Sequence, residues 1–386
     1  MDVGADGSVH DLMREVRRRL ARTDFAAAAE LAATAGEDAR ARGDVQSWRR
    51  FACRRATALY SLGRFPEALE LADAVLESAA DGEHLHTQAH AANIGTIAAD
   101  RVGRDDTLSR LDAAVALGER IEREQGRIDS LYRTAWTAGT LGLAELGEAI
   151  FSGIAGGSGR DDDAPLPPAT VAFLAGQQLV VRNWWALTLE HAGDARSSEV
   201  YLRNIDTVRR LPELLPVAEL PARTTSVFRA FEGFALAALG RSDEADVALS
   251  VAEASLPSPT LDIPSSATTL LCTAARMRPQ ALTDPELVLA ASKDLVHLAR
   301  LIGDRRGEAE HLRLAAVAAR RTGDAARAAV AEDRFAALVE RLDWSRRLQA
   351  ARMTTVRSNA LRDIAGSVRV DVLVNDAAVL DPSDRS

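Results

Sequence analysis

The strongest constraint on this chain is a turn that recurs along it. The stretch ALYSLGRFPEAL, residues 58–69, closes one apolar helical run at Gly63 and opens another at Pro66. Similar turns stand at Gly103 (VGRDD), Leu143 (LGLAEL), Gly193 (HAGDARSSE), Gly240 (ALGRSDEA) and Gly323 (RTGDAARAA), with weaker copies at Thr23 (ARTDFAAAA) and Thr283 (ALTDPELVLAA). The first three steps are 40 residues each, and the rest are 50, 47, 43 and 40. Such a period belongs to stacked helical hairpins, each unable to bury its apolar face alone. The expectation is an all-α array of about eight helix-turn-helix hairpins.

The longer steps coincide with breaks. SGIAGGSGRDDDAPLPP (152–168) is a Gly/Asp/Pro insert that no helix is expected to cross, and LPELLPVAELPA (211–222) and LPSPTLDIPSS (256–266) read as Pro-rich connectors. Within each hairpin, small residues sit where the two helices must approach: Ala56, Ala186, Gly233 and Ala316 before the turn, Ala68, Ala245 and Ala328 after it. Glycine at the turn permits a left-handed backbone, and Asp194, Ser242 and Asp324 are placed to cap the helix that follows. Alanine and leucine favour helix, and 47% apolar residues suffice for a continuous core.

The segment ATALYSLGRFPEALELADAVL resembles a tetratricopeptide repeat (TPR), matching small residue, aromatic, glycine, aromatic and alanine at Ala56, Tyr60, Gly63, Phe65 and Ala68. The resemblance covers roughly residues 8–345 and implies a right-handed superhelical α-solenoid. Its period is longer than the usual 34 residues, which implies longer helices. The expected organisation is a solenoid over 1–345, a capping helix over 346–366 and a short extended or disordered tail over 367–386. The array with its Trp/Arg-rich exit stretch LDWSRRLQAARM is also similar to the sensory halves of actinobacterial diguanylate cyclases. The Gly-Gly-Asp/Glu-Glu-Phe loop of the cyclase is missing, so that resemblance implies a sensory part without the catalytic domain. DVLVNDAAVL (371–380) resembles a short-chain dehydrogenase fragment, but no Tyr-x-x-x-Lys pair exists: Lys293 is the only lysine and position 289 is leucine.

The net charge of −9 argues against a general nucleic-acid binder. The two cysteines, Cys53 and Cys272, lie far apart in apolar helical surroundings and read as buried free thiols. The opening stretch lacks the apolar core of a signal peptide, and no run of 18 apolar residues suggests a membrane span. A cytoplasmic protein is expected.

No catalytic constellation emerges. GIAGGSGR (153–160) lacks the Lys-Ser/Thr ending of a phosphate loop and fails the Gly-x-Ser-x-Gly pattern. Asp161, Asp162 and Asp163 read as a solvated run. His86 and His90 share a helical face at zinc-ligand spacing, with His84 nearby, yet position 87 is threonine where a zinc protease needs glutamate. His10, His191, His297 and His311 show no triad order. No enzyme, cofactor or metal is expected.

The TPR resemblance implies that the first helix of each hairpin lines a concave groove. In that register the groove carries Arg50, Cys53, Arg54, His90, Asn93, Tyr132, Trp136, Asn183 and Arg313, with Arg133, Trp184 and Trp185 beside them. Cationic, amide and aromatic groups together suit a peptide or protein partner. The expected function is an interaction scaffold that binds such a partner, without nucleic acid or membrane. The alternative is a module that senses a signal or small molecule, and a closed apolar pocket in place of an open groove would mark it.

Overall fold

The structure is a computed structural model that describes residues 3–22, 24–79, 84–121, 124–157, 168–214, 222–256 and 263–340. Sixteen helices follow one another: α1 (Val3–Ala21), α2 (Phe25–Ala41), α3 (Val45–Ser61), α4 (Phe65–Glu77), α5 (Leu85–Arg101), α6 (Thr107–Glu119), α7 (Glu124–Thr140), α8 (Ala144–Gly157), α9 (Pro168–His191), α10 (Arg196–Leu214), α11 (Ala222–Ala238), α12 (Ser242–Ala254), α13 (Ile263–Thr283), α14 (Pro285–Leu301), α15 (Arg305–Thr322) and α16 (325–340). Each packs on its chain neighbours, and no strand occurs among the described residues. The expected capping helix over 346–366 and the tail over 367–386 lie outside the described residues, which leaves sixteen helices where seventeen were expected. Asp161, Asp162 and Asp163, DVLVNDAAVL and the turn residue Thr23 lie outside them too.

One local device ends most of the helices. At the α3–α4 turn Gly63 has φ +75°, its N–H donates to Tyr60 O, and Arg64 N–H reaches back to Leu59 O. The pair of bonds satisfies carbonyls that the helix end leaves free. The bond to the fifth preceding residue recurs at Arg104, Leu143, Asp194, Arg241 and Asp324, so all these turns have one geometry. It also recurs at Asp44 and Asp304, in the α2–α3 and α14–α15 turns, where the 40-residue spacing marks nothing. Near the fourth turn the left-handed residue is Gly142, one before the expected Leu143.

Asp304 and Asp324 accept hydrogen bonds from Gly307 N and Arg327 N, and Asp194 from Arg196 N. Ser242 does not cap: it is the first residue of α12, and the N-cap residue Arg241 makes no side-chain capping bond. Helices also reach further into the breaks than expected. Buried Phe151 and Ile154 carry α8 to Gly157, α10 takes in Pro212, and α13 starts at Ile263 with Pro264 in its first turn. Proline costs little in a first turn, where its missing N–H has no helical acceptor.

The core runs between neighbouring helices and depends on small residues. Ala56, Ala68, Ala186 and Ala245 are each at most 2% exposed. A Cβ at Gly147 would stand 2.5 Å from Ala135 O, so α7 and α8 touch backbone to backbone there.

The chain also meets itself far from its neighbours. Arg101, at the end of α5, donates to Gly303 O in the α14–α15 turn. Arg305 reaches Asp100 Oδ1 at 3.3 Å and Asp100 O at 3.4 Å. Arg306 donates to Gly139 O in α7 at 2.9 Å, and its guanidinium lies 5.4 Å from the ring centre of Trp184 in α9. Glu310 Oε2 lies 3.1 Å from His191 Nε2. The seventh and eighth hairpins thereby close onto the third, fourth and fifth.

Candidate functional site

This closure bounds a partly open cavity of about 580 Å³. Its wall comes from the odd-numbered helices α1 to α15, from Leu141 after α7 and from the α14–α15 turn, and among the described residues none belongs to an even-numbered helix. Most of the lining is apolar: Ile94 and Ile97 of α5, Trp136 of α7, Trp184 and Leu187 of α9, Phe231 and Phe234 of α11, and Leu270 and Leu271 of α13. The Trp136 and Trp184 rings meet at 5.9 Å with 57° between their planes.

Polar groups converge on one corner, made by α3, α5 and α7. His90 is 3% exposed, and its Nε2 lies 3.2 Å from Thr57 Oγ1 and 3.4 Å from Arg133 Nη1. A guanidinium can only donate, so Nε2 is the acceptor. Burial, then the charges of Arg133 and Arg54, hold the His90 pKa well below the usual histidine range, and the ring is neutral. Asn93 is buried, and its Nδ2 donates to Ala89 O at 2.9 Å and Thr134 Oγ1 at 3.3 Å. Both acceptors need the amide nitrogen, which orients Asn93 and leaves Oδ1 buried without a partner. Arg133 Nε is likewise buried and unpartnered.

A second polar group lies around the closure. Glu310, 1% exposed, takes ion pairs from Arg278 and Arg313, each at 2.8–2.9 Å. Burial alone would raise its pKa, but Arg278, Arg313 and the His191 hydrogen bond outweigh it and hold the carboxyl well below the ordinary range. Arg278 and Arg313 also reach Glu190 of α9, which ties α9, α13 and α15 together.

Of the residues expected in a groove, His90, Asn93, Tyr132, Arg133, Trp136, Asn183 and Trp184 line the cavity. Arg50 is exposed on α3 and is not in the wall. Arg54 stands behind the polar corner and adds its charge to Arg133 and His90. Arg313 belongs to the Glu310 network, because α15 turns Arg306 and Glu310 inward, one helical turn earlier. Cys53 is buried, with Sγ 3.5 Å from Thr87 O, and Trp185 packs against hydrophobic core. His86 and His90 do share a face but diverge in partner: His86 Nε2 lies 3.0 Å from Asp129 Oδ2. Among the described residues no group of three or more His, Cys, Asp or Glu side chains could hold a metal. No helix among them is long and apolar enough to cross a membrane.

The sequence reading missed Thr57, Tyr60, Arg101, Phe231, Phe234, Arg305 and Arg306 as wall residues. Two signals were present. Val227, Ala230, Phe231 and Phe234 follow helical spacing on α11, and IGDRR (302–306) repeats the Gly-Asp turn signature at half the period. No protein-family profile matches the chain, and no curated protein matches it significantly.

Proposed function

We propose that this chain is a non-catalytic sensory module whose signal is a small molecule held in the central cavity, in a TPR-like right-handed superhelix. The observation that carries this reading is the closure. A scaffold groove stays open along its length, whereas here the α14–α15 turn bonds across to α5 and α7 and narrows the inner face to a partly open, mostly apolar cavity. Small-ligand sites typically span about 300–1,000 Å³, with an apolar wall and a few convergent polar groups. The cavity, at about 580 Å³, has that size and that lining. Eight inner helices contribute to one wall, so a ligand there alters the fit of the whole array, and an effector on the outer face reads the change. This agrees with the resemblance to cyclase sensory regions.

The test is thermal unfolding against metabolite and peptide panels, with Trp136 and Trp184 as intrinsic fluorophores. Saturating ligand stabilises by RT ln(1 + [L]/Kd), or about 2.7 kcal/mol at a hundredfold excess over Kd. The expected result is stabilisation and a fluorescence change with a small molecule that is recovered unaltered. Binding of extended peptides with no small-molecule hit returns the function to a scaffold, and turnover of the ligand makes it an enzyme.

A further inference from the structure

The polar corner of the cavity has too much positive charge for the acid around it. Arg133 stands close enough to the half-buried Arg54 to disfavour its charge, and Arg17 adds to this. Among the described residues Asp129 is the only carboxylate paired with Arg133, at 3.6 Å, and it makes a closer contact of 3.0 Å with His86. His90 is neutral and offsets nothing. Burial, then Arg133 and Arg17, pull the Arg54 pKa down to about 10, the direction that an uncompensated cationic pair produces.

The other arginines of the wall differ. Arg101 and Arg306 donate to the carbonyls of Gly303 and Gly139, and Arg305 pairs with Asp100. An incoming acid would have to break those bonds. Arg101 and Arg133 each keep a buried Nε–H without an acceptor, but Arg133 makes no carbonyl bond among the described residues and lies in the same polar corner as Asn93, whose Oδ1 is also unpartnered. Buried polar atoms of this kind are normally satisfied, and those of Arg133 and Asn93 both belong to residues of the cavity wall. One lacks an acceptor and the other lacks a donor.

We infer that the natural ligand is an apolar organic acid that also carries a hydroxyl or N–H group: its carboxylate accepts from Arg133, its donor bonds Asn93 Oδ1, and its body lies against Trp136 and its apolar neighbours. This rests on the sensing reading and adds the chemical class of the signal. The carboxylate supplies the missing negative charge, and a guanidinium–carboxylate contact in a water-poor cavity is strong and directional. The apolar body excludes sugars and nucleotides, whose many hydroxyls would leave polar atoms unpaired against the tryptophans.

The test uses tryptophan fluorescence and thermal shift with 4-hydroxyphenylacetate, indole-3-acetate and dodecanoate, each beside its uncharged primary amide. The two aromatic acids are expected to bind at least tenfold more tightly than their amides, with an affinity that falls as salt is raised. Dodecanoate, which lacks the donor, is expected to bind more weakly than either. Arg133→Gln should weaken binding of the two aromatic acids at least tenfold and remove most of the acid preference; far-UV circular dichroism checks that the variant is folded. The acid-to-amide ratio and the salt dependence in the unaltered protein decide the matter even if the variant misfolds. Equal binding of acid and amide overturns the anion assignment while small-molecule sensing stands. Dodecanoate binding best removes the donor requirement and with it this ligand class. If none of the six compounds binds, the proposed class is wrong. If the peptide panel alone binds, the sensing reading fails as well.

Discussion

At the residue scale, the informative side chains are titratable groups placed where water is absent. His90 and His311 are 3% and 1% exposed, and burial holds both pKa values below the ordinary 6.5. In the unfolded chain each takes up a proton near that ordinary value, while in the folded protein each resists. Over that window the unfolded state binds more protons, so stability rises with pH. Unfolding midpoints should therefore fall as pH is lowered from about 7 to about 5, and the double variant His90→Gln/His311→Gln should flatten the slope. A slope unchanged in the double variant would assign the effect to other groups. Glu310 acts in the same direction at lower pH: its pKa is lowered, so its contribution is present above the usual carboxylate pKa and is lost as pH falls below it, toward the depressed folded value. Glu310→Gln leaves Arg278 and Arg313 facing no charge at that position and should cost about 3–5 kcal/mol in urea unfolding. A loss under about 1 kcal/mol would mean that water screens the network.

At the element scale, helix ends and helix contacts carry separate messages. Turn chemistry was legible: glycine followed by Asp or Arg marks the left-handed residue and its returning bond at Gly63, Gly103, Gly193, Gly240 and Gly323. The same signature at Gly43 and Gly303 went unread, because a 40-residue ruler passes over turns at half its length. Small residues at helix crossings were legible too, since Ala56, Ala186 and Gly233 stand at constant distance from their turns. Gly147 carries a sharper prediction. A methyl group there would meet Ala135 O at 2.5 Å and Val181 Cγ1 at 2.8 Å. Alanine usually helps a helix, but Gly147→Ala should destabilise by about 1–3 kcal/mol through overpacking, measured by thermal or urea unfolding. A neutral or stabilising result would show that α7 and α8 can separate at little cost.

At the scale of the whole molecule, the decisive feature is the contact between segments some 200 residues apart. Arg101→Ala combined with Arg305→Ala removes the bonds from α5 to the α14–α15 turn and from α15 to α5. The neighbour-to-neighbour core is untouched by these changes, so helical content should stay within a few per cent of the parent by circular dichroism. The radius of gyration by small-angle scattering should increase, and affinity for any cavity ligand should fall at least tenfold. An unchanged radius with unchanged binding would show that the closure does not depend on these arginines. The sequence by itself determined the elements, because glycine turns, helix propensity and apolar spacing act within about twenty residues. It also pointed to His90 and Asn93 of the polar corner through a constant register, with Arg133 beside that register. Only the tertiary structure decided between groove and cavity. Small angles between successive helices accumulate along the array, and no local pattern encodes their sum. Whether Gly303 arrives beside Arg101 depends on every crossing between them, and that arrival turns an inner face into a bounded, partly open cavity.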